Sequence, residues 1–158
     1  MGKELKTNAM RILEQKGIPF RMNLYECEEF IDGLHIAHQL GQDPECSFKS
    51  LIAKGKSGNH YVFALPVAEE LDLKKAAKAA GEKSIELIPV KELFGLTGYV
   101  RGGCTAIGLK KPFPAIFDET AILFEEIIIS GGRIGAQILM NPMDLPKVID
   151  CRFEDITI

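Results

Sequence analysis

The sequence predicts a mixed α/β domain of the α+β kind, and three observations carry that expectation. The chain has 158 residues, 46% apolar and 26% charged, which is the size of one domain and enough to bury a core without disulfides. Its apolar positions switch between helical spacing and strand alternation with no regular strand-helix-strand period. It contains neither G-x-x-x-x-G-K-[ST] nor G-x-G-x-x-G, so a doubly wound nucleotide-binding sheet fits poorly. With no repeat and no linker longer than a loop, residues 1–158 are expected to form a single domain.

Each element has its own signal. Leu5, Ala9, Ile12 and Leu13 recur at helical spacing and Lys16-Gly17 with Pro19 ends the run, so the chain opens on a helix. Phe20, Met22 and Leu24 then alternate with Arg21, Asn23 and Tyr25, a strand with Tyr25 on the face away from Phe20. Leu34, Ala37 and Leu40 before Gly41 predict a second helix. Ser47 to Lys54 and His60 to Pro66 read as strands joined by the turn-rich Gly55 to Asn59. Leu71, Leu73, Ala76, Ala77 and Ala80 predict a helix ending at Gly81, with Lys74, Lys75 and Lys78 on its solvent side. A strand over Ser84 to Val90 and a short helix over Lys91 to Leu96 follow. Further strands are expected around Ala115 to Phe117, Leu123 to Ile129, Ala136 to Met140 and Phe153 to Ile158, with a helical piece near Met143 to Ile149.

The residues that could carry chemistry are few. Gly102-Gly103 and Gly131-Gly132 each follow β-like sequence and each is flanked by an arginine, Arg101 and Arg133. Glycine turns let backbone N–H groups approach a carbonyl or phosphate where a side chain would obstruct them, although a plain tight turn explains either pair alone. Lys49 lies in a strand among apolar neighbours, as a fixed cation for a ligand or as an ordinary solvated lysine. His35 and His38 share a helical face, but with His60 as the only other histidine and no clustered cysteines no metal site is expected. Cys104 beside Gly103 invites reading as a nucleophile, yet no histidine can be placed next to it from sequence. Ser130 precedes Gly131-Gly132 with Ile128 where a nucleophile elbow needs glycine. The cysteines at 27, 46, 104 and 151 form no C-x-x-C and are expected as free thiols.

Taken in order, Ser47-Phe48-Lys49-Ser50-Leu51, Leu73-Lys74-Lys75-Ala76-Ala77-Lys78, Thr97-Gly98-Tyr99 with Gly102-Gly103, Gly108-Leu109-Lys110-Lys111, and Ser130-Gly131-Gly132-Arg133 with Gly135 resemble the YbaK/EbsC family. Its members are free-standing relatives of the editing domain of bacterial prolyl-tRNA synthetases. The resemblance implies a curved, largely antiparallel sheet flanked by helices, and hydrolysis of the ester joining a misattached amino acid to tRNA, with Cys-tRNA(Pro) as the expected substrate. It places Lys49 as the sheet lysine of the F-K-[TS]-L motif, Gly102 and Gly103 as the loop near the ester, Tyr25 as the early-strand tyrosine and Ser130 as the serine of the S-G-G motif. Gly131, Gly132 and Arg133 complete the substrate-binding set. No protein nucleophile is implied, because the cysteinyl thiol attacks its own carbonyl and leaves as a cyclic thiolactone. The family often carries an acidic step where this chain has Gly33-Leu34-His35.

Two other function classes compete with this one. A non-catalytic module could hold an aminoacyl-tRNA or a nucleotide-like ligand, and a small-molecule ester or thioester hydrolase could use Cys104. The expected partners are the acceptor end of aminoacyl-tRNA and prolyl-tRNA synthetase, since one small domain lacks an anticodon reader; no cofactor, DNA or membrane is expected. Met1 to Lys6 alternates charge and leads into no apolar segment, so a cytoplasmic protein is expected. A net charge of −3 excludes a uniformly basic nucleic-acid binder. Ten of the nineteen basic residues, Lys49, Lys54, Lys56, Lys74, Lys75, Lys78, Arg101, Lys110, Lys111 and Arg133, nevertheless lie between positions 49 and 133. A local basic face that loses affinity with added salt is the expectation.

Overall fold

The structure, a computed structural model, describes residues 6–27 and 29–158. Leu5 of the first helical stripe, and the charge alternation preceding it, lie outside the described residues.

Helix α1 (Asn8–Gln15) begins where Thr7 Oγ1 accepts the Met10 N–H, and it buries Ala9, Met10 and Leu13. Strand β1 (Arg21–Leu24) follows; Phe20 and Leu24 pack against the core, whereas Met22 is exposed. Helix α2 (Gly33–Leu40) is capped by Asp32 and stops at Gly41. Strands β2 (Phe48–Gly55) and β3 (His60–Pro66) form the expected hairpin, with Lys49 opposite Leu65. The Glu82 carboxylate clamps its turn, accepting from Ser57 N–H at 3.0 Å, Ser57 Oγ at 2.6 Å and Tyr61 Oη at 2.5 Å. Helix α3 (Leu73–Ala80) starts on the Asp72 side chain and ends at Gly81. Its Lys75 is not free on the solvent side as expected, because Nζ bonds Asp155 and the Thr157 carbonyl at 2.8 Å.

Strand β4 (Ile85–Leu87) is shorter than the sequence suggests, since helix α4 (Val90–Thr97) begins at Val90. Beyond α4 come β5 (Ala115–Asp118), β6 (Ile127–Ser130), β7 (Ala136–Met140) and β8 (Cys151–Glu154). The segment from Leu123 does not run extended into β6. Buried Asp118 accepts the Thr120 N–H and hydroxyl and turns Glu119–Leu123 into a 3-10 helix. The last helical piece is also 3-10, Pro142–Lys147, with Pro146 inside it. The last strand ends at Glu154, short of the expected Ile158, and Thr157 makes an isolated bridge to Leu71.

The strands divide into a three-stranded antiparallel sheet, β1-β7-β6, and a five-stranded sheet, β4-β2-β3-β5-β8. The larger sheet is mixed, because β3-β5 and β5-β8 pair in parallel. Four of the six pairings over the two sheets are antiparallel, so strand pairing is largely antiparallel as the resemblance implies, but it is divided between two sheets instead of running through one. A parallel bridge between Ser47 and Ile128 links the two sheets at the entry to β2.

From Tyr61 to Pro66 strand β3 is buried and apolar because both its faces are covered. Val62 and Ala64 join Phe48, Ile52 and Phe117 in the main core with α1 and the smaller sheet. Tyr61, Phe63 and Leu65 face α3 through Ala76 and Ala77. Among the described residues no helix is long and apolar enough to cross a membrane.

Asp118 ties these layers together, its other oxygen accepting the Ile156 N–H at 3.1 Å. Replacing it with alanine strands a buried N–H group, so Asp118→Ala is expected to lower unfolding free energy by about 1–3 kcal/mol. Urea denaturation measures this, and an unchanged midpoint would show that the contact adds nothing.

Candidate functional site

The site arises from the edge of β2. The Ile88 N–H reaches the Ile52 carbonyl and the Ile128 N–H reaches the Cys46 carbonyl. Residues separated by an even number along a strand point their backbone groups the same way, so β4 and β6 attach to the same edge of β2 at opposite ends. Between Ser47 and Ile52 that edge has no strand neighbour among the described residues. The two sheets splay there around a cavity of about 330 Å³ whose lining includes Phe48, Lys49, Ser50 and Leu51.

Lys49 shares a face of β2 with Leu51 and Ala53 and is half-buried, its Nζ 3.4 Å from the Val67 carbonyl. Burial lowers its pKa, opposed by the charges of Glu70, Asp32 and Glu69. A lysine held this way is a partly desolvated cation, and its attraction for a developing negative charge is stronger than in bulk water.

Around it the fold brings Tyr25 from the end of β1, Ser130 from the end of β6 and Gly102 from the loop after α4. Burial raises the Tyr25 pKa. Its backbone N–H donates to the Gly135 carbonyl at 2.9 Å, tying the end of β1 to the turn before β7. Ser130 Oγ accepts the Gly132 N–H at 3.2 Å. Gly102 has φ +88, and a Cβ there would sit 2.9 Å from the Phe30 ring. Arg101 stacks on the same ring, its guanidinium carbon 4.0 Å from the centroid, so a cation and an aromatic ring lie together on the cavity wall.

The other predicted residues stand behind this wall. The Gly103 N–H is donated to Val100 O, and the Gly103 backbone packs against Arg133 and Ile134. The Gly131 N–H is donated to Ala136 O, while its carbonyl accepts from Thr7 Oγ1 at 2.5 Å. Gly132 lies against Thr7 and Tyr99. Gly131, Gly132 and Arg133 thus shape the backbone behind Ser130, and none of them lines the cavity.

Cys104 does line it, but burial pushes its thiol up to about 12, which suppresses the thiolate that a nucleophile needs. None of the three histidines lines the cavity. His60 stacks on Phe113 with centroids 5.1 Å apart, and His35 is an exposed partner of Asp32. All four cysteines are free.

Several lining residues had no distinct signal in the sequence: Phe30, Ile31 and Asp32 before α2, and Gln42 with Gln137. The two glutamines bond each other reciprocally at 2.7 and 3.1 Å, and Asn23 donates to Gln137 at 3.0 Å. Of the basic residues grouped in sequence, Lys49 and Arg101 line the cavity. Lys75 and Lys78 border a separate cleft with Arg152, Glu119, Glu154 and Asp155, so the helix lysines and the cavity do not share one basic face.

The chain is an editing domain by family. Residues 34–148 match the family model of the aminoacyl-tRNA editing domain, and the chain belongs to that family. Among individual proteins, it is 39% identical over 153 residues to a protein of Enterococcus faecalis provisionally named as the Cys-tRNA(Pro)/Cys-tRNA(Cys) deacylase EbsC, covering 96% of this chain and 93% of that one. The ordered motifs had pointed to the same family. A crystal structure provisionally described as a trans-editing enzyme for prolyl-tRNA synthetase superposes with a TM-score of 0.81 at 24% identity, covering 96% of this chain and 98% of that one. The hypothetical protein APE2540 superposes at 0.85 with 21% identity, covering 94% and 97%. These two structures establish the shared fold.

The glycine environments give a direct check on the wall. A Cβ at Gly103 would lie 2.8 Å from Arg133 Cα, backbone that cannot step aside, whereas one at Gly95 in α4 meets nothing within 4 Å. Gly103→Ala is expected to cost about 1–3 kcal/mol and Gly95→Ala to add about 0.5–1 kcal/mol. Thermal melts of the two variants should shift in opposite directions; a shift of the same sign would refute the packing described.

Proposed function

We propose that this chain, as a single domain, is a trans-acting aminoacyl-tRNA deacylase that cleaves the ester of mischarged Cys-tRNA(Pro) in the cytoplasm. The observation that carries the reading is the cavity at the β2 edge, which Lys49, Gly102, Tyr25 and Ser130 line together and where no histidine stands among the described residues to activate a nucleophile. Family membership supports the substrate class, and the name of the E. faecalis relative supports cysteine as the amino acid.

In the proposed mechanism Lys49 and the Gly102 backbone stabilise the carbonyl oxygen as negative charge develops. Tyr25 and Ser130 hold the aminoacyl group, Gly103 sets the loop, and Gly131, Gly132 and Arg133 hold Ser130 in place. The substrate thiol attacks its own carbonyl carbon. A sulfur-carbon bond forms, the carbon-oxygen bond to the ribose breaks, and the thiol proton passes to the departing ribose oxygen. Cysteine leaves as a cyclic thiolactone. Tethering already supplies proximity, so the protein need only fix conformation and charge. Choice of tRNA(Pro) falls to prolyl-tRNA synthetase as partner.

The competing hydrolase reading uses Cys104, and the raised thiol pKa argues against it. With Cys-tRNA(Pro) as substrate, Lys49→Ala is expected to lower kcat by about 100-fold or more while Cys104→Ala keeps most of the activity. Mass spectrometry of the released product should find thiolactone, and addition of prolyl-tRNA synthetase should favour Cys-tRNA(Pro) over Cys-tRNA(Cys). Equal loss of activity in both variants, with a covalent adduct on Cys104, would favour the hydrolase.

A further inference from the structure

Lys49, Gly102 and Ser130 leave the anionic part of the cavity unused. Among the described residues Asp32 is the only carboxylate that lines it. Its Oδ1 accepts the His35 N–H at 3.1 Å, and its Oδ2 lies 2.5 Å from His35 Nδ1. The His35 backbone bond, then its side chain, hold the carboxyl below the usual carboxylate range, so it is an anion at neutral pH. The side chain remains 52% exposed, and an ionised carboxylate can accept further hydrogen bonds beyond those from His35. Its charge also reaches Lys49. Elsewhere on the wall Gln42 and Gln137 satisfy each other as neutral amides.

An aminoacylated 3′ end presents three groups to such a cavity. Its phosphate is an anion and its ester carbonyl develops negative charge, which Lys49 and Arg101 complement. The third group is the α-ammonium, two bonds from the ester carbon. A peptide's α-amine has a pKa of about 7.7–8.0 and an ester carbonyl lowers it, so the ammonium form, with three donors and no acceptor, is populated near neutral pH and is favoured further by an adjacent anion. It calls for an anion, and Asp32 supplies it.

We propose that Asp32 binds the α-ammonium of the aminoacyl group, so that the enzyme acts on esters with a free α-amine and discriminates against N-blocked ones. The inference rests on the deacylase reading. Holding the ammonium fixes the Cα substituents and with them the direction of the side chain relative to the carbonyl. It also sorts substrates by class, since N-acylated and peptidyl esters lack the cation.

The test compares Cys-tRNA(Pro) with N-acetyl-Cys-tRNA(Pro), using the wild-type chain, Asp32→Asn and Asp32→Ser. Asparagine and serine both cap helices about as well as aspartate, so α2 keeps its start. The wild type is expected to cleave the free-amine substrate at least tenfold faster than the acetylated one. Both variants should lose at least tenfold in kcat/KM on the free-amine substrate, mainly through KM, and lose far less on the acetylated one. Equal losses on both substrates would overturn the inference, leaving Asp32 only as the cap of α2. Equal cleavage of both substrates by the wild type would overturn it too. Cleavage of neither by the wild type would overturn the deacylase reading itself and the inference with it, a result distinct from the other two.

Discussion

The site depends on one constraint, the sharing of a single edge of β2 by strands of two sheets. β6 takes the entry of that edge through Cys46 and Ser47, and β4 takes its exit through Ile52 to Gly55. An unpaired stretch of strand is ordinarily a liability that proteins cover. Here it is recessed between the sheets and becomes a wall of the cavity. Lys49 lies in that stretch, β6 delivers Ser130, and β7, paired to β6 with Gln137 opposite Ser130, delivers the amide pair.

The rest of the molecule holds this fork open. Main-core residues from both sheets pack with α1, so the smaller sheet cannot slide along β2 without unpacking Met10 and Leu13. On the outer face α3 covers Phe63 and Leu65 through Ala76 and Ala77, and Glu82 from the turn after it fixes the β2-β3 hairpin. The bidentate Arg21–Glu126 pair, at 3.0 and 2.5 Å, joins the start of β1 to the residue before β6 on the surface. Such exposed pairs contribute little stability, so packing dominates.

Local chemistry made most elements legible. α2 and α3 are legible from the helical spacing of their apolar residues and from Gly41 and Gly81 as stops, with Asp32 and Asp72 added by the structure as their caps, and the β2-β3 hairpin is legible from its glycine-rich turn. The division into two sheets is not local: it rests on Ser47 meeting Ile128 and on parallel pairings across long separations in sequence. Leu123 reads as strand through its apolar neighbours up to Ile129, but it ends the 3-10 helix that Asp118 caps, and the strand begins at Ile127. In the site, Lys49, Gly102, Tyr25 and Ser130 were recognisable from motifs, and the cavity joins them. Gly103, Gly131 and Gly132 are equally visible as glycines, but their amides are committed to Val100, Ala136 and Ser130. Gln42 and Gln137, 95 residues apart, carry no sequence signal that would pair them. Asp32 was hidden because a helix cap explains it fully without a ligand.

The central claim is that the cavity at the β2 edge removes misattached amino acids from tRNA. A deacylation time course on tRNA(Pro) charged in turn with cysteine, alanine, serine and proline tests it most directly. The cysteinyl ester is expected to disappear much faster than in buffer while the prolyl ester persists. Loss of all four esters at the buffer rate would contradict it.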